Sequence, residues 1–196
     1  MVMRVMTGNL SIIEKSIIYA LDKHHGVNRK GKNIPYILHP VEVMSIVASI
    51  TDDEDVIAAG ALHDVIEDTD TTYDDIKNEF NERIANIVAA ESQNLLPGYR
   101  EDMSWKEIKE LAFNHLKTEC LDVKIVALAD KLSNIRAIHN DMLKYGNRVW
   151  SIFNERDPRI HKWRYNELLK CFSELEYTHI YEEFKFLVED TFKGID

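Results

Sequence analysis

The chain has 196 residues and a net charge of −10 at neutral pH. This length suits one domain with a core of its own, and the acidic balance argues against a protein that coats duplex nucleic acid, which needs a basic surface. No apolar run approaches the ~18 residues of a membrane span, and the N-terminus lacks the pattern of a secretory signal. We therefore expect a cytoplasmic protein with no membrane partner.

Helices are favoured over sheets, because the chain has only seven glycines and four prolines and few stretches alternate with a period of two. The first helix is predicted to begin at Ser11 and to end at Gly26. A loop with basic residues follows, and Pro40 suits the first turn of the next helix. Thr51 or Asp52 is expected to cap the third helix.

The second half of the chain continues the helical pattern. Two capping boxes are predicted, one from Thr72 to Asp75 and one from Ser104 to Glu107, with a long loop at residues 94–103 between them. A core helix is predicted from apolar residues at helical spacing: Leu121, Ile125, Leu128, Leu132 and Ile135.

The expected architecture is all-α, a single-domain helical bundle over residues 1–196. The motifs fall in a core of about residues 11–140, and two or three amphipathic helices are expected in residues 141–196. Trp163 and Tyr165 lie in that C-terminal part. Their spacing favours core positions, although closure over a ligand is an alternative.

Acids and histidines stand in unusually apolar surroundings. Val56–Leu62 carries no charge, yet it leads directly into His63 and Asp64, and Asp130 lies inside "VALADKL". A carboxylate taken out of water needs hydrogen bonds, a cation or a metal. For Asp130 a salt bridge to Lys131 or Arg136 remains open.

Other histidines and acids extend this set. His39 in "LHP" is on its own more often a core histidine than a ligand, and Glu67 and Asp68 on their own suit a solvated helix end. Together, two imidazoles and two carboxylates suit a divalent ion such as Mn²⁺ or Fe²⁺, which would acidify a bound water. Glu67 and Asp68 follow His63 and Asp64 by four residues, so a continuous helix would place them on the same side as acceptors for the water's proton.

Four ordered motifs, "HHGVNRKG", "PYILHP", "AAGALHDVIEDTDTT" and "VALADKLSNIRAI", resemble the HD superfamily of metal-dependent phosphohydrolases. Within it, the chain is similar to the hydrolase domain of the RelA/SpoT homologues, in particular the stand-alone small alarmone hydrolases. The resemblance implies an HD-type helical bundle that removes the 3′-pyrophosphate of ppGpp or pppGpp, yielding GDP or GTP.

The resemblance also implies roles for individual residues. It makes His39, His63, Asp64 and Asp130 ligands of a Mn²⁺ ion, with Fe²⁺ or another divalent ion as alternatives. It assigns Glu67 and Asp68 to activation of the attacking water. It places Arg29 against the purine base with Lys30 beside it, and Asn134 against the ribose or phosphates. The expected partner is a small nucleotide, and a homo-oligomer is compatible with the sequence.

Departures from the family pattern concern the substrate rather than the metal. The "RKGKNIPYI" loop is one residue longer than the commonest version, "IVAAESQN" lacks a lysine that many members have, and Ala137 replaces a common threonine. An HD phosphohydrolase of another nucleotide (an adenine alarmone, NADPH or a nucleotide phosphate) therefore remains an alternative. A non-catalytic nucleotide sensor is a second alternative, although every ligand and both acids are retained.

Overall fold

The structure, a computed structural model, describes residues 10–195 and is helical throughout its regular parts. In that region the extended pairing is limited to an isolated bridge between Asn28 and Pro35. The α-helices in chain order are α1 (Ile12–Lys23), α2 (Leu38–Val47), α3 (Glu54–Leu62), α4 (Val65–Asp68), α5 (Tyr73–Glu79), α6 (Glu82–Glu91), α7 (Trp105–Thr118), α8 (Leu121–Tyr145), α9 (Pro158–Cys171) and α10 (His179–Thr191). The predicted all-α class is confirmed. None of the described helices combines the length and apolar character that crossing a membrane requires.

Two helix starts have the capping boxes that the sequence predicts, and one has a different cap. The capping boxes at Thr72 and Ser104 both form. In each, the hydroxyl oxygen of the cap residue accepts from the backbone N–H of the acid three residues later, and the carboxylate of that acid accepts from the backbone N–H of the cap residue. The predicted cap of α3 was wrong: Asp53, rather than Thr51 or Asp52, accepts the hydrogen bond that begins this helix. Thr51 instead accepts from the backbone N–H of Asp53, so it braces the residue that forms the cap.

The end of α1 also differs from the prediction. The helix ends at Lys23 with His24 as its C-terminal cap, and Gly26 lies two residues further on. Gly26 has a φ of +78°, so it supplies the backbone reversal that leads into the basic loop.

The core is organised around α8, in which Val123–Asp130 is buried without interruption. This helix packs against α2, α3, α6 and α10, so apolar residues are needed on most of its surface. It also runs on to Tyr145, into the region where shorter C-terminal helices were expected. Asp130 is thereby placed in the middle of the bundle.

A glycine allows α2 and α3 to approach closely. A Cβ atom at Gly60 would lie 3.2 Å from the Cα atom of Met44 and 3.2 Å from a methyl group of Val47. Backbone of α2 therefore occupies the space that a side chain would need. This contact brings the end of α3 beside the start of α2, where His39 lies.

The C-terminal helices α9 and α10 close the bundle through an aromatic cluster. Tyr165, Phe172 and Phe184 are fully buried, and the ring of Phe184 lies 5.9 Å from that of Phe172. Trp163 is half-buried and packs edge-on against Phe113. Tyr165 is thus a core residue, as its spacing favours, although one side of it borders a cavity described below.

Candidate metal centre

His63 and Asp64 lie at a break between two helices. The sequence suggests a continuous helix here, but α3 ends at Leu62 and α4 begins at Val65. Both residues keep right-handed helical dihedral angles, and the backbone N–H of Asp68 still bonds to the carbonyl oxygen of Asp64. The break turns the charged end of this segment toward α2 and α8.

Three of the predicted ligands form one cluster. One ligand atom from each of His39, His63 and Asp130 lies within 4.8 Å of the others, and all three residues are buried. Oδ1 of Asp130 is 3.1 Å from Nε2 of His39 and 3.7 Å from Nε2 of His63. Oδ2 of Asp64 is 2.8 Å from Nε2 of His63 and 3.7 Å from Nε2 of His39, so the fourth predicted ligand borders both imidazoles.

A backbone carbonyl orients the ring of His63. Nδ1 of this ring lies 2.9 Å from the carbonyl oxygen of Gly60, which can only accept, so Nδ1 carries a proton. In the neutral ring Nε2 then presents a lone pair to the cluster. This Nε2 is buried and lacks a hydrogen-bond partner among the described residues, although Oδ2 of Asp64 lies 2.8 Å away. A divalent cation would satisfy an atom of this kind.

A chain of side chains orients His39. Its Nδ1 lies 2.8 Å from Oγ of Ser133, and that hydroxyl donates to Oε2 of Glu42 at 2.8 Å. Arg136 donates to the other oxygen of Glu42 and, through two nitrogens, to Glu183 of α10. Because the serine hydroxyl donates to the carboxylate, His39 donates from Nδ1 and keeps Nε2 available as a ligand.

The charged groups of the cluster shift one another's pKa values. Burial alone lowers the pKa of His63, but the carboxylates of Asp64 and Asp130 outweigh it and raise that pKa to about 9. Burial raises the pKa of Asp130, yet Lys131, His39 and His63 together hold it well below its ordinary value. The charged forms of His63 and Asp130 are thus stabilised by oppositely charged neighbours.

Both oxygens of the Asp130 carboxylate have charged or polar neighbours. Its Oδ1 faces the imidazoles, while its Oδ2 contacts the ammonium group of Lys131, one of the two salt-bridge partners left open by the sequence. The other, Arg136, was wrong, because its guanidinium pairs with Glu42 and Glu183 on the far side of His39.

Two acids of α4 lie beside the cluster and are both exposed. The carboxylate of Glu67 accepts from the backbone N–H of Gln93 at 3.2 Å and from its side-chain amide at 2.9 Å. Burial and the negative charges of Asp64 and Glu67 raise the pKa of Asp68 to about 6. The two acids therefore differ in their surroundings: one is held by an amide, and the other lies among like charges.

A cavity of about 240 Å³ opens next to the cluster and is lined by Arg29, Tyr36 and Asn134 among others. The guanidinium of Arg29 lies 5.8 Å from the centre of the Tyr36 ring and donates to Oδ1 of Asn134 at 3.2 Å. The amide of Asn134 in turn donates to Oδ1 of Asp130 at 2.5 Å. Lys30 also borders the cavity, but its ammonium group bonds to Asn154.

Residues that the sequence interpretation left without a role also contribute. Tyr36 donates its hydroxyl to Oδ2 of Asp64 and stands between that carboxylate and Arg29. Its place in "PYILHP", three residues before His39, was a usable signal. Ser133 and Gln93 gave no such signal, because their contacts join distant parts of the chain.

Comparison with known proteins gives one family and several relatives. The model of the HD domain family matches residues 16–158. The chain is 33% identical over 135 residues to a guanosine-3′,5′-bis(diphosphate) 3′-pyrophosphohydrolase, MESH1, of Xenopus tropicalis, covering 67% of this chain and 72% of that protein. It is 28% identical over 189 residues to a protein of the same enzyme name from Aquifex aeolicus, covering 94% of this chain.

This chain covers very different shares of the two relatives. The chain spans 27% of the Aquifex protein, so most of that protein lies outside the similarity. A solved structure, described as a metazoan orthologue of SpoT that hydrolyses ppGpp, superimposes with a TM-score of 0.71 at 22% identity and covers 95% of this chain and 97% of its own. At that identity the match supports the helical fold.

Proposed function

Because the chain belongs to the HD domain family, we propose that it is a metal-dependent hydrolase that removes the 3′-pyrophosphate group of guanosine alarmones. The products are GDP from ppGpp or GTP from pppGpp, together with pyrophosphate. The observation that carries the proposal is the His39, His63 and Asp130 cluster at the side of a cavity lined by Arg29 and Asn134. The enzyme names of the MESH1 and Aquifex relatives support the choice of substrate.

The proposed cofactor is Mn²⁺, held by His39, His63, Asp64 and Asp130. The nitrogen and oxygen donors suit Mn²⁺ or Fe²⁺, and the orphaned Nε2 of His63 supports a metal at this point. A divalent ion held there would lower the pKa of a coordinated water toward ~7 and would polarise a phosphoryl oxygen.

The proposed role of Glu67 is to accept the proton of the attacking water, with Asp68 assisting. Gln93 donates to both oxygens of Glu67 and so sets the direction in which this carboxylate faces. The water oxygen bonds to the phosphorus next to the ribose 3′-oxygen, and the bond between that phosphorus and the 3′-oxygen breaks. The 3′-oxygen takes up a proton, and pyrophosphate departs with the oxygen of the water.

Substrate positioning is assigned to the cavity of about 240 Å³ that is lined by Arg29 and Asn134. The planar guanidinium of Arg29 suits a stacking contact with a purine base, and Lys30 adds positive charge at the rim. Asn134 lies between Arg29 and Asp130, so it is proposed to contact the ribose or its phosphates.

The proposal is tested by incubating the purified protein with ppGpp and Mn²⁺, with and without chelator, and separating the products by chromatography. Release of GDP and pyrophosphate that stops with chelator is expected. Parallel reactions with ppApp and NADPH compare the other nucleotides. If ppGpp stays intact while one of these is cleaved, the guanine assignment is wrong and the metal hydrolase stands.

A further inference from the structure

A second, smaller cavity of about 50 Å³ lies behind the metal centre, between α6, α7, α8 and α9. Three cations line it: Lys109, Lys131 and Arg164. We refer to it as the cation cavity. Its volume exceeds the ~10–15 Å³ that one water molecule needs, so it has room for a small polar group.

The positive charges of the cation cavity exceed its negative ones. Lys131 contacts Asp130 and lies 3.8 Å from Glu91, but the other two cations have no carboxylate partner among residues 10–195. Lys109 donates to the neutral amide oxygen of Gln93 at 2.5 Å. The guanidinium of Arg164 lies over aromatic rings, 5.6 Å from the centre of that of Tyr165. This excess is unusual in a chain of net charge −10.

An unpaired cation in such a position is costly. Burial, with Arg164 and Lys131 close by, lowers the pKa of Lys109 to about 7. A protein relieves this cost by neutralising the group or by binding an anion beside it. The cavity thus offers two cations whose charge a bound anion would compensate.

The cation cavity is connected to the proposed catalytic groups. Gln93 donates its amide to Glu67 and accepts from Lys109, so one side chain borders both sites. Lys131 lies next to the ligand Asp130 along α8 and contacts its carboxylate. Arg164 lines both this cavity and the larger one that holds Arg29 and Asn134. An anion here would therefore be separated from Asp130 by Lys131 and from Glu67 by Gln93.

We propose that the cation cavity binds the outer phosphate of the pyrophosphoryl group while the inner phosphate lies at the metal. The proposal rests on the proposed function, because it takes the substrate to carry a diphosphate at the cleaved position. It makes Lys109 and Arg164 the residues that distinguish a diphosphate from a single phosphate. Phosphate suits these donors, since a guanidinium and an ammonium both bond strongly to its oxygens.

Calorimetric titration of the Mn²⁺-loaded protein with inorganic pyrophosphate and with inorganic phosphate tests this site without any turnover. Lys109→Met and Arg164→Met are each expected to weaken pyrophosphate binding about 10- to 100-fold, as for loss of one charged hydrogen bond. Lys109→Arg keeps the charge and is expected to keep most of the affinity. Lys106→Met is the matched control, because Lys106 lies on the same helix but is exposed and outside the cavity.

Folding is monitored by the melting temperature of each variant without ligand. Lys109→Met removes an unpaired charge, so it is expected to melt at or above the wild-type temperature. Pyrophosphate binding that is as tight in Lys109→Met and Arg164→Met as in the wild type would overturn the proposal. Equal affinity of the wild type for phosphate and pyrophosphate would overturn it as well, since the outer phosphate would then add nothing.

These outcomes are separate from the hydrolysis assay. If pyrophosphate binding depends on Lys109 while ppGpp stays intact, the anion site stands and the proposed substrate fails. If ppGpp is hydrolysed but the two methionine variants bind pyrophosphate normally, the enzyme stands and the cation cavity is not its phosphate site.

Discussion

The two histidines of the cluster are supported in opposite ways. His63 is oriented by the carbonyl oxygen of Gly60, three residues earlier in the same segment. His39 is oriented by Ser133, which lies 94 positions away along the chain and is itself held by Glu42. One proposed ligand is therefore positioned locally, and the other depends on the packing of α2 against α8.

This difference determines what each ligand is sensitive to. The support of His63 follows from the backbone of α3 and holds wherever that helix and its break form. The support of His39 needs three side chains from two helices in the right places, and through Arg136 it reaches Glu183 of α10. Changes far from the metal are thus expected to act through His39 more than through His63.

Removing the group shared by both histidines should have the largest effect. Asp130→Asn keeps the shape but removes the charge that faces both imidazoles, so bound metal and turnover should be lost together. Metal content by elemental analysis and ppGpp hydrolysis measure this. Asp122→Asn on the same helix is the control, since Asp122 pairs with Arg83 away from the cluster. A fully loaded, active Asp130→Asn protein would contradict the ligand assignment.

Glu67→Gln separates proton transfer from metal binding, because it changes neither histidine support. Turnover is expected to fall ~10²- to 10⁴-fold, the usual contribution of a general base, with metal content near one per chain. Glu79→Gln, an exposed acid elsewhere, should leave turnover unchanged. If Glu67→Gln loses the metal instead, Glu67 is a ligand and the base must lie elsewhere.

Ser133→Ala breaks the support of His39 at its first step. Loss of such a partner weakens metal binding by ~10- to 100-fold, because the ring is no longer held in the correct tautomer and direction. Titration of Mn²⁺ by calorimetry measures this. Ser16→Ala is the matched control, since Ser16 is equally buried but bonds within α1. If both variants lose the same stability but only Ser133→Ala binds Mn²⁺ more weakly, Ser133 is a positioning residue. Unchanged Mn²⁺ affinity in Ser133→Ala would contradict this role.

Gly60→Ala tests the close contact between α2 and α3 that places the two histidines side by side. The added Cβ would lie 3.2 Å from the Cα atom of Met44, which cannot move aside as a side chain can. Overpacking costs ~1–3 kcal/mol, and the better helix propensity of alanine offsets up to ~1 kcal/mol. We expect about 1–2 kcal/mol of net destabilisation in urea unfolding of the metal-free protein. A variant as stable as the wild type would show that α2 and α3 separate easily.

The sequence could predict the parts of the site that lie within one segment. An uncharged run ending in His63 and Asp64, and an acid inside the apolar stretch around Asp130, pointed to the cluster because each is anomalous among its own neighbours. The all-α class followed from periodicity in the same way. Helix ends were less accurate, since the cap of α3 depends on whether Thr51 or Asp53 meets the first free N–H group.

Contacts between distant segments could not be predicted from the sequence alone. Ser133, Gln93 and Lys109 are ordinary polar residues at helical positions, and their roles arise only when α2, α6, α7 and α8 come together. The long-range support of His39 was therefore invisible, whereas the family pattern named His39 itself. The same holds for the cation cavity, whose charges come from three different helices.

Glu183→Gln tests the part of the support of His39 that lies farthest from the metal centre. Arg136 would lose the carboxylate of Glu183 but keep its pair with Glu42. The hydrogen bond from Ser133 to Glu42 would therefore be weakened rather than broken. A partly exposed ion pair contributes up to ~1 kcal/mol, which corresponds to at most about a fivefold change in Mn²⁺ affinity. Glu182→Gln is the control, because Glu182 is exposed on the same helix and has no ion pair among the described residues. A lower melting temperature with unchanged Mn²⁺ affinity would mean that α10 stabilises the fold without reaching His39. A weaker affinity in Glu183→Gln alone would show that a helix beyond the matched HD region, which ends at residue 158, acts on the proposed ligand His39.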